Sequence, residues 1–494
     1  MKYLYIVLLI SSSLLGCSTA KIDLPQTSTQ RIPASAWQAN GNMDQTLPTS
    51  DARLFSTPEI IRMKLTGDFQ RVHEANAGGN WTGDDREDPS YWSDGILVDL
   101  AQPNRQITQK LRARGMSSAS PGEADFPKLR VEINDNEDLK QTVFKGSRNF
   151  KINTHVSTHP QAERTGMGRL NNEKSPFREA VAYEVGSQLL LPAPLIRRAK
   201  IAYTDTLTKE SFERNALLIE TDKKIAERFG AKVSETFPEE AHRMNIRLAA
   251  RFHAFNILIG NEDIGLKLKK EPTIGTEKYR PYFNTTIFEL PSGEMFPVIY
   301  DFDLSTFVSG WGMLSWDLFT LPPFQINDGR VGRFFYNLAM LRSRLSQQEY
   351  TQAIQDVLSQ ENQIRQIINT AVADSEFKVS AAEHFDLYKT AVKKLETYPM
   401  LLKNGVRFYK DPALTEDLLK MDPVQETPGT LRPGTPIQVL QDKGNVVQIA
   451  ICDFKHDLSN YEQMVGYIQK SDLVLGYDLP ENLQGIIDGR DMAW

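Results

Sequence analysis

Lys128-Leu129-Arg130-Val131-Glu132-Ile133 alternates charged and apolar residues one for one. A period of two is the mark of a β-strand with one face buried. Gln109-Lys110-Leu111-Arg112-Ala113-Arg114 carries the same alternation upstream. Ile60-Ile61-Arg62-Met63-Lys64-Leu65 and Gly95-Ile96-Leu97-Val98-Asp99-Leu100 are further strand candidates, with loops such as Ala77-Gly78-Gly79-Asn80 between them. The chain from Leu54 to Ile133 therefore reads as β-rich.

Further along, the turn Lys145-Gly146-Ser147-Arg148-Asn149 leads into the strand Phe150-Lys151-Ile152-Asn153-Thr154-His155. Ser175-Pro176 then opens a helix, with Ser as the N-cap and Pro at the first position, running to about Leu190. Ile201-Ala202-Tyr203 and Ala216-Leu217-Leu218-Ile219-Glu220 read as strands. A helical part begins near Glu239, where Ile246, Leu248, Phe252, Phe255 and Leu258 mark one apolar face. Residues 282–300 read as a hairpin, and three helical patterns follow between Arg330 and Tyr398, one of them Gln348 to Ala371.

The last unit is different. Short apolar runs at 431–440, 445–449 and 464–468 are split by Gly, Asp and Lys turns, which fits a small β-barrel over 404–478, followed by a tail over 479–494. Cys452 lies in the apolar run Ile449-Ala450-Ile451-Cys452 and reads as a buried structural thiol.

Chemistry concentrates at two acidic turns. Pro297-Val298-Ile299-Tyr300-Asp301-Phe302-Asp303 is a short apolar strand ending in two carboxylates. Ile259-Gly260-Asn261-Glu262-Asp263 ends the helix upstream. Paired Asp-bearing turns of this kind suit phosphoryl transfer: one carboxylate serves the attacking hydroxyl, the other holds Mg²⁺ on the phosphates. His155 and His159 are four apart, but they follow a strand and Pro160 ends the run, so a metal pair is not expected there. Trp311 and Trp316, beside Gly310 and Gly312, read as core in preference to a substrate loop.

The N-terminus carries an address. Met1-Lys2 is a short positive region, and Tyr3 to Ile10 is apolar but too short to span a bilayer. Leu14-Leu15-Gly16-Cys17 follows and resembles a bacterial lipobox. Residues 1–16 would be the lipoprotein signal peptide, and Cys17 would carry the palmitate-bearing lipid; the alternative is an ordinary signal peptide with an incidental Cys. Ser18 after it points, by the same analogy, to the outer membrane if the cell has one. Residues 17–52 are rich in Ser, Thr, Pro, Gln and Asn and read as a flexible tether. The protein would then be anchored to the envelope through lipid, not spanning the membrane.

Composition excludes some classes. The chain has 494 residues, too many for one core, so two or three domains are expected. A net charge of −6 with no basic stripe gives no support to nucleic-acid binding. With Cys17 lipidated, Cys452 has no intrachain disulfide partner.

In order along the chain, several motifs resemble the CotH kinase family (spore coat protein H-like). They are Arg112-Ala113-Arg114-Gly115, Phe126-Pro127-Lys128-Leu129, Phe150 to His155, Arg178-Glu179-Ala180-Val181-Ala182-Tyr183, Leu218-Ile219-Glu220, Ile259 to Asp263 and Tyr300-Asp301-Phe302-Asp303. The C-terminal Gly-Thr-x-Ile-x-Val opening at 434–439 and Val465-Gly466-Tyr467-Ile468 resemble bacterial SH3-like domains. These resemblances imply an α+β fold: an atypical two-lobed protein-kinase-like domain over 53–400, with a β-rich N-lobe and a helical C-lobe, then an SH3-like barrel.

They also imply roles. ATP and Mg²⁺ (or Mn²⁺) would be the cofactors, and a protein or small-molecule hydroxyl the acceptor. Lys151 would neutralise the phosphates, with Glu179 as its partner by family pattern; helical geometry points instead to Glu184, on the stripe of Phe177 and Val181. Asp263 would orient or deprotonate the acceptor. Asp301 would hold the metal with Asn284, and Asp303 would be a second ligand or a turn cap. Glu220 would lie at the adenine edge, where its backbone matters more than its side chain. One Gly in Lys145-Gly146-Ser147-Arg148 makes a poor phosphate loop. Because ATP is scarce outside the cytoplasm, the alternative is a non-catalytic binding scaffold, its SH3-like barrel docking to cell wall or a protein partner.

Overall fold

The alternating segments pair into one closed sheet. In a computed structural model, the described residues are 47, 52–75, 91–115, 124–155, 173–237, 240–261, 264–266, 282–309, 329–342, 345, 347–396, 399–401, 406–418, 430–431, 437–453 and 462–475. Strands β1 (Ile61–Gly67), β2 (Ser93–Asp99), β3 (Ile107–Arg114), β4 (Lys128–Ile133), β5 (Asn149–Asn153), β6 (Ile196–Asp205) and β7 (Ser211–Ile219) close in the order β1-β2-β3-β4-β5-β7-β6. All neighbours are antiparallel except β1 and β6, whose parallel pairing runs from Ile61 opposite Ala199 to Gly67 opposite Asp205. Inward side chains such as Met63, Leu65, Leu111, Val131, Phe150 and Ile152 are fully buried and fill the barrel.

This closure overturns the expected two-lobed kinase-like domain. The fold is mixed α/β, a closed seven-stranded barrel with helices, and it gives no evidence of a kinase-like two-lobe arrangement. Alternation marks which face of a strand is buried. It carries no information on which distant strand closes the sheet.

Helix α1 (Phe69–Glu74) is capped by Asp68, whose side chain accepts from Arg71 N–H. Its Phe69 packs edge-on to Tyr203 and against Phe126. Helix α2 (Ser175–Gln188) joins β5 to β6 and is buried on nearly every side from Ser175 to Gly186. A helix buried all round runs through a core and not over a surface. Its first turn starts at Ser175 itself; Lys174 holds the N-cap position without a side-chain bond, so the expected Ser cap is not made.

Beyond the barrel come α3 (Asp222–Phe229), the short β8 (Lys232–Val233) and α4 (Ile246–Leu258), the last capped by Asn245. The two-residue strands β9 (Gly265–Leu266) and β10 (Tyr282–Phe283) pair, and β11 (Thr285–Glu289) and β12 (Met295–Ile299) form the expected hairpin. Helix α5 (Thr306–Ser309) follows directly. Four helices then take the place of the three expected: α6 (Gly329–Arg342), α7 (Gln347–Leu358), α8 (Glu361–Thr370) and α9 (Ser375–Leu395). The run read as one helix from Gln348 to Ala371 breaks at Ser359-Gln360.

In the C-terminal region β13 (Pro399–Leu401) pairs with β19 (Leu473–Leu475), and β14 (Val406–Arg407) with β15 (Thr430–Leu431). Strands β16 (Gln438–Asp442), β17 (Val446–Asp453) and β18 (Glu462–Gln469) form an antiparallel sheet. Phe408, Ile437, Ile449 and Ile468 make its core. Cys452 sits on β17 opposite Gln463.

Candidate functional site

The outward faces of β3, β4 and β5 carry the charges that alternation predicts. Register sets Arg114 opposite Lys128, Arg112 opposite Arg130, and Arg130 opposite Lys151. Like charges facing each other across strands are destabilising unless anions offset them. At one end of this face the anions come from the segment after β12.

That segment is Tyr300-Asp301-Phe302-Asp303. Phe302 is fully buried, 4.7 Å from the Tyr183 ring and 5.5 Å from that of Phe255, and so anchors the turn in the helical core. The two flanking carboxylates turn the other way. Lys128 Nζ lies 2.7 Å from Asp301 Oδ1 and 2.7 Å from Asp303 Oδ2. Asp301 takes φ of 57°, a left-handed conformation costly for a non-glycine residue, and its N–H donates to Tyr183 Oη at 3.2 Å.

A second layer ties the turn to the barrel. Glu179, on buried α2, accepts from both sides: Asn153 Nδ2 reaches its two oxygens at 2.8 Å, and Phe302 N–H reaches Oε1 at 3.3 Å. Arg114 donates to Asn153 Oδ1 and, at 2.7 Å, to Tyr300 Oη. Lys151 Nζ lies 4.6 Å from the Tyr300 ring centroid and 2.9 Å from Asp222 Oδ1 in the first turn of α3. The segment leading toward Asp263 is pinned to the same turn, since Thr306 N–H donates to Gly260 O at 3.1 Å and Phe307 N–H to Ile259 O at 3.0 Å. Gly260 has φ of 59°, and a Cβ there would lie 1.9 Å from Thr306 Oγ1, so only glycine fits.

Charge states follow from these contacts. Burial opposes the charged form of Lys128, but Asp301 and Asp303 outweigh it and hold the ammonium firmly protonated. Burial likewise works against the Asp301 carboxylate, yet Lys128 and Arg114 keep it below the usual carboxylate range. Burial raises Asp303, and Asp301 beside it adds to the effect. Glu179 is pushed up by burial and then by Asp303.

The residues read from sequence fall into three groups. Asp301, Asp303, Lys151 and Glu179 come together. Lys151 pairs with neither expected carboxylate: its partner is Asp222, while Glu179 binds Asn153 and Glu184 binds Arg198 at 2.5 Å. Asn284, with φ of 49°, directly precedes Thr285, which faces Ile299. It therefore stands at the same end of the hairpin as Asp301. Glu220 follows β7 and is fully engaged: Arg228 Nη2 lies 2.7 Å from its carboxylate, which also accepts from Leu195 N–H, and its own N–H donates to Leu195 O. Asp263, Cys17, the signal peptide, the tether apart from Leu47 and Ala52, His159, Trp311 and Trp316 lie outside the described residues. His155 is buried and stacked 5.1 Å from Phe126 in an aromatic cluster, as a core residue would be.

Lys128, Arg114, Asn153, Asp222 and Tyr300 are the participants to which sequence reasoning gave no role. All but Asp222 stand inside the motifs quoted above; for Lys128, Arg114 and Asn153 alternation shows their face but not what covers it. A cavity of about 540 Å³ opens beside this face, with Arg130, Lys145, Arg148, Thr221 and Lys223 in its lining. Six basic and four acidic side chains share that lining, so its character is cationic.

No protein-family model matches the sequence, and no curated protein matches it either. The resemblance to the CotH family therefore rests on the quoted motifs. Among the described residues, no group of three or more His, Cys, Asp or Glu side chains could hold a metal ion, and no helix is long and apolar enough to cross a membrane.

Proposed function

We propose that the chain binds a metal–polyphosphate such as MgATP and transfers a phosphoryl group to a hydroxyl of a protein or small molecule, as the CotH resemblance implies. One observation carries the reading: a cationic strand face (Arg114, Lys128, Lys151) meets two carboxylates on a strained turn, Asp301 and Asp303. Folding alone gives no reason to collect so much charge in a buried place. Strain held at such a point is a mark of function.

The donor set fits a hard divalent ion. Mg²⁺ is usually held by one or two carboxylates, with phosphates and water completing its shell. The Lys128 ammonium, equidistant from two carboxylate oxygens, marks where a cation sits. Asp301 and Asp303 would hold the metal, with Asn284 beside them at the hairpin end. A bound Mg²⁺ would neutralise charge developing on the phosphate oxygens. Lys151 and Arg114 would take the remaining phosphate charge, and the cavity beside Arg130 would receive the rest of the anion. Glu179 would act by position, locking the turn to Asn153 and α2. Asp263 would serve the acceptor hydroxyl. Lipid on Cys17 would place this activity in the cell envelope.

A non-catalytic binding scaffold is the second reading. The same Lys128 bridge favours it, because an ammonium already satisfies both carboxylates. Thermal unfolding of the lipid-free chain with ATP, with and without Mg²⁺ or Mn²⁺, separates the two. A ligand at about 100 times its Kd adds about 2.7 kcal/mol of stability. A metal-dependent rise in Tm that Asp301→Ala abolishes is expected. No rise at millimolar ATP would leave the scaffold.

A further inference from the structure

We propose that Lys128 is a resident counter-cation that bars free divalent metal from Asp301 and Asp303, so that metal enters only as a complex with a polyphosphate. The inference rests on the functional reading above for its ligand, but its observations concern Lys128 alone.

The Lys128 side chain is 3 % exposed, and its ammonium contacts a carboxylate oxygen of each Asp at 2.7 Å. A divalent ion coordinating both carboxylates would need that same place. The charges around it are already offset by neighbours: Glu179, Asp222, Asp301 and Asp303 face Arg114, Lys128 and Lys151. A divalent ion arriving alone would add two positive charges to a buried cluster, with the displaced ammonium still nearby. A polyphosphate changes both terms. Its oxygens carry the compensating negative charge, and they offer the ammonium a new partner. Lysine suits this exchange, since a compact charge on a flexible four-carbon stem can swing while the strand stays fixed. A guanidinium such as that of Arg114, held by Asn153 and Tyr300, is less free to move.

The test measures Mn²⁺ retained by the whole lipid-free chain in equilibrium dialysis, because ATP alone chelates the ion and would deplete any free-ion signal. For the wild-type chain with Mn²⁺ alone, uptake is expected to be at least about tenfold weaker than with ATP present. Lys128→Met should take up Mn²⁺ alone at least about tenfold more tightly than wild type, a change of about 1.4 kcal/mol. Adding Asp301→Asn should abolish that gain and so locate the ion. Lys128→Gln, which keeps a hydrogen-bond donor without charge, serves if the Met variant fails to fold. Equal Mn²⁺ affinity in wild type and the neutral variants would overturn the proposal, as would wild-type uptake of Mn²⁺ that ATP does not improve. If wild type takes no Mn²⁺ even with ATP while Lys128→Met binds it alone, the phosphoryl-transfer reading and entry with a polyphosphate both fail, and only the bar that Lys128 sets to free metal stands.

Discussion

Two buried ion-pair systems, Glu220 with Arg228 and Lys128 with Asp301 and Asp303, are built differently. Glu220 and Arg228 form a closed set: both side chains are almost wholly buried, the guanidinium also donates to Ala193 O, and the carboxylate also accepts from Leu195 N–H. Neither residue takes a positive φ. Around Lys128 one ammonium is divided between two carboxylates, a third carboxylate stands close by, and the residue holding one of them is in a left-handed conformation. The first arrangement is what folding requires of buried charge. The second carries more like charge than a fold needs, which is the pattern of a place that exchanges ions with a ligand.

The contrast can be broken most sharply at Glu220. Glu220→Ala strands a buried guanidinium, and denaturant unfolding should show a loss of about 3–5 kcal/mol. A loss below about 1 kcal/mol would mean that this pair is no more structural than the other. His155 extends the comparison to a buried titratable group in an aromatic cluster. Burial holds its imidazole neutral, with its pKa lowered to about 3 from an ordinary 6.5. The unfolded state therefore binds the proton more readily between pH 6.5 and 3, and stability falls as pH drops through that window. By pH 5 the expected loss is about 2 kcal/mol relative to neutral pH. His155→Phe should remove this component from the pH dependence of Tm, and an unchanged slope would count against a neutral buried imidazole. Asp222 offers the smallest effect. Its pair with Lys151 is partly exposed, so Asp222→Asn should cost under about 1 kcal/mol. It should tighten ATP binding a few-fold by freeing Lys151, and weaker binding would mark Asp222 as part of the ligand site.

Much of the local structure was legible in the sequence. The period-two runs at 109–114 and 128–133 are strands facing the side their apolar residues predict, and the 282–300 hairpin is in place. Asp301, Asp303, Lys151 and Glu179 lie close together, but Lys151 pairs with Asp222 and Glu179 with Asn153. What escaped was pairing over distance. Nothing in residues 61–67 says that they lie beside 199–205, so the barrel and its difference from a two-lobed domain could not be read. Partner choice escaped for the same reason. Lys151 meets Asp222 because β5 runs beside β7, which delivers the chain to the start of α3. Lys128 and Arg114 were visible as alternating charges, but the turn that covers them arrives from far along the chain.

The parallel pairing of β1 with β6 also sets a schedule for the folding chain. Ile61 cannot meet Ala199 until the chain between them has been made. At about 5–20 residues per second, the first strand waits roughly 7–30 s for its neighbour. During that interval the growing sheet has two open edges, each able to template pairing with another chain. The last step is a long-range closure, the slow kind in which loop entropy must be met before contacts repay it.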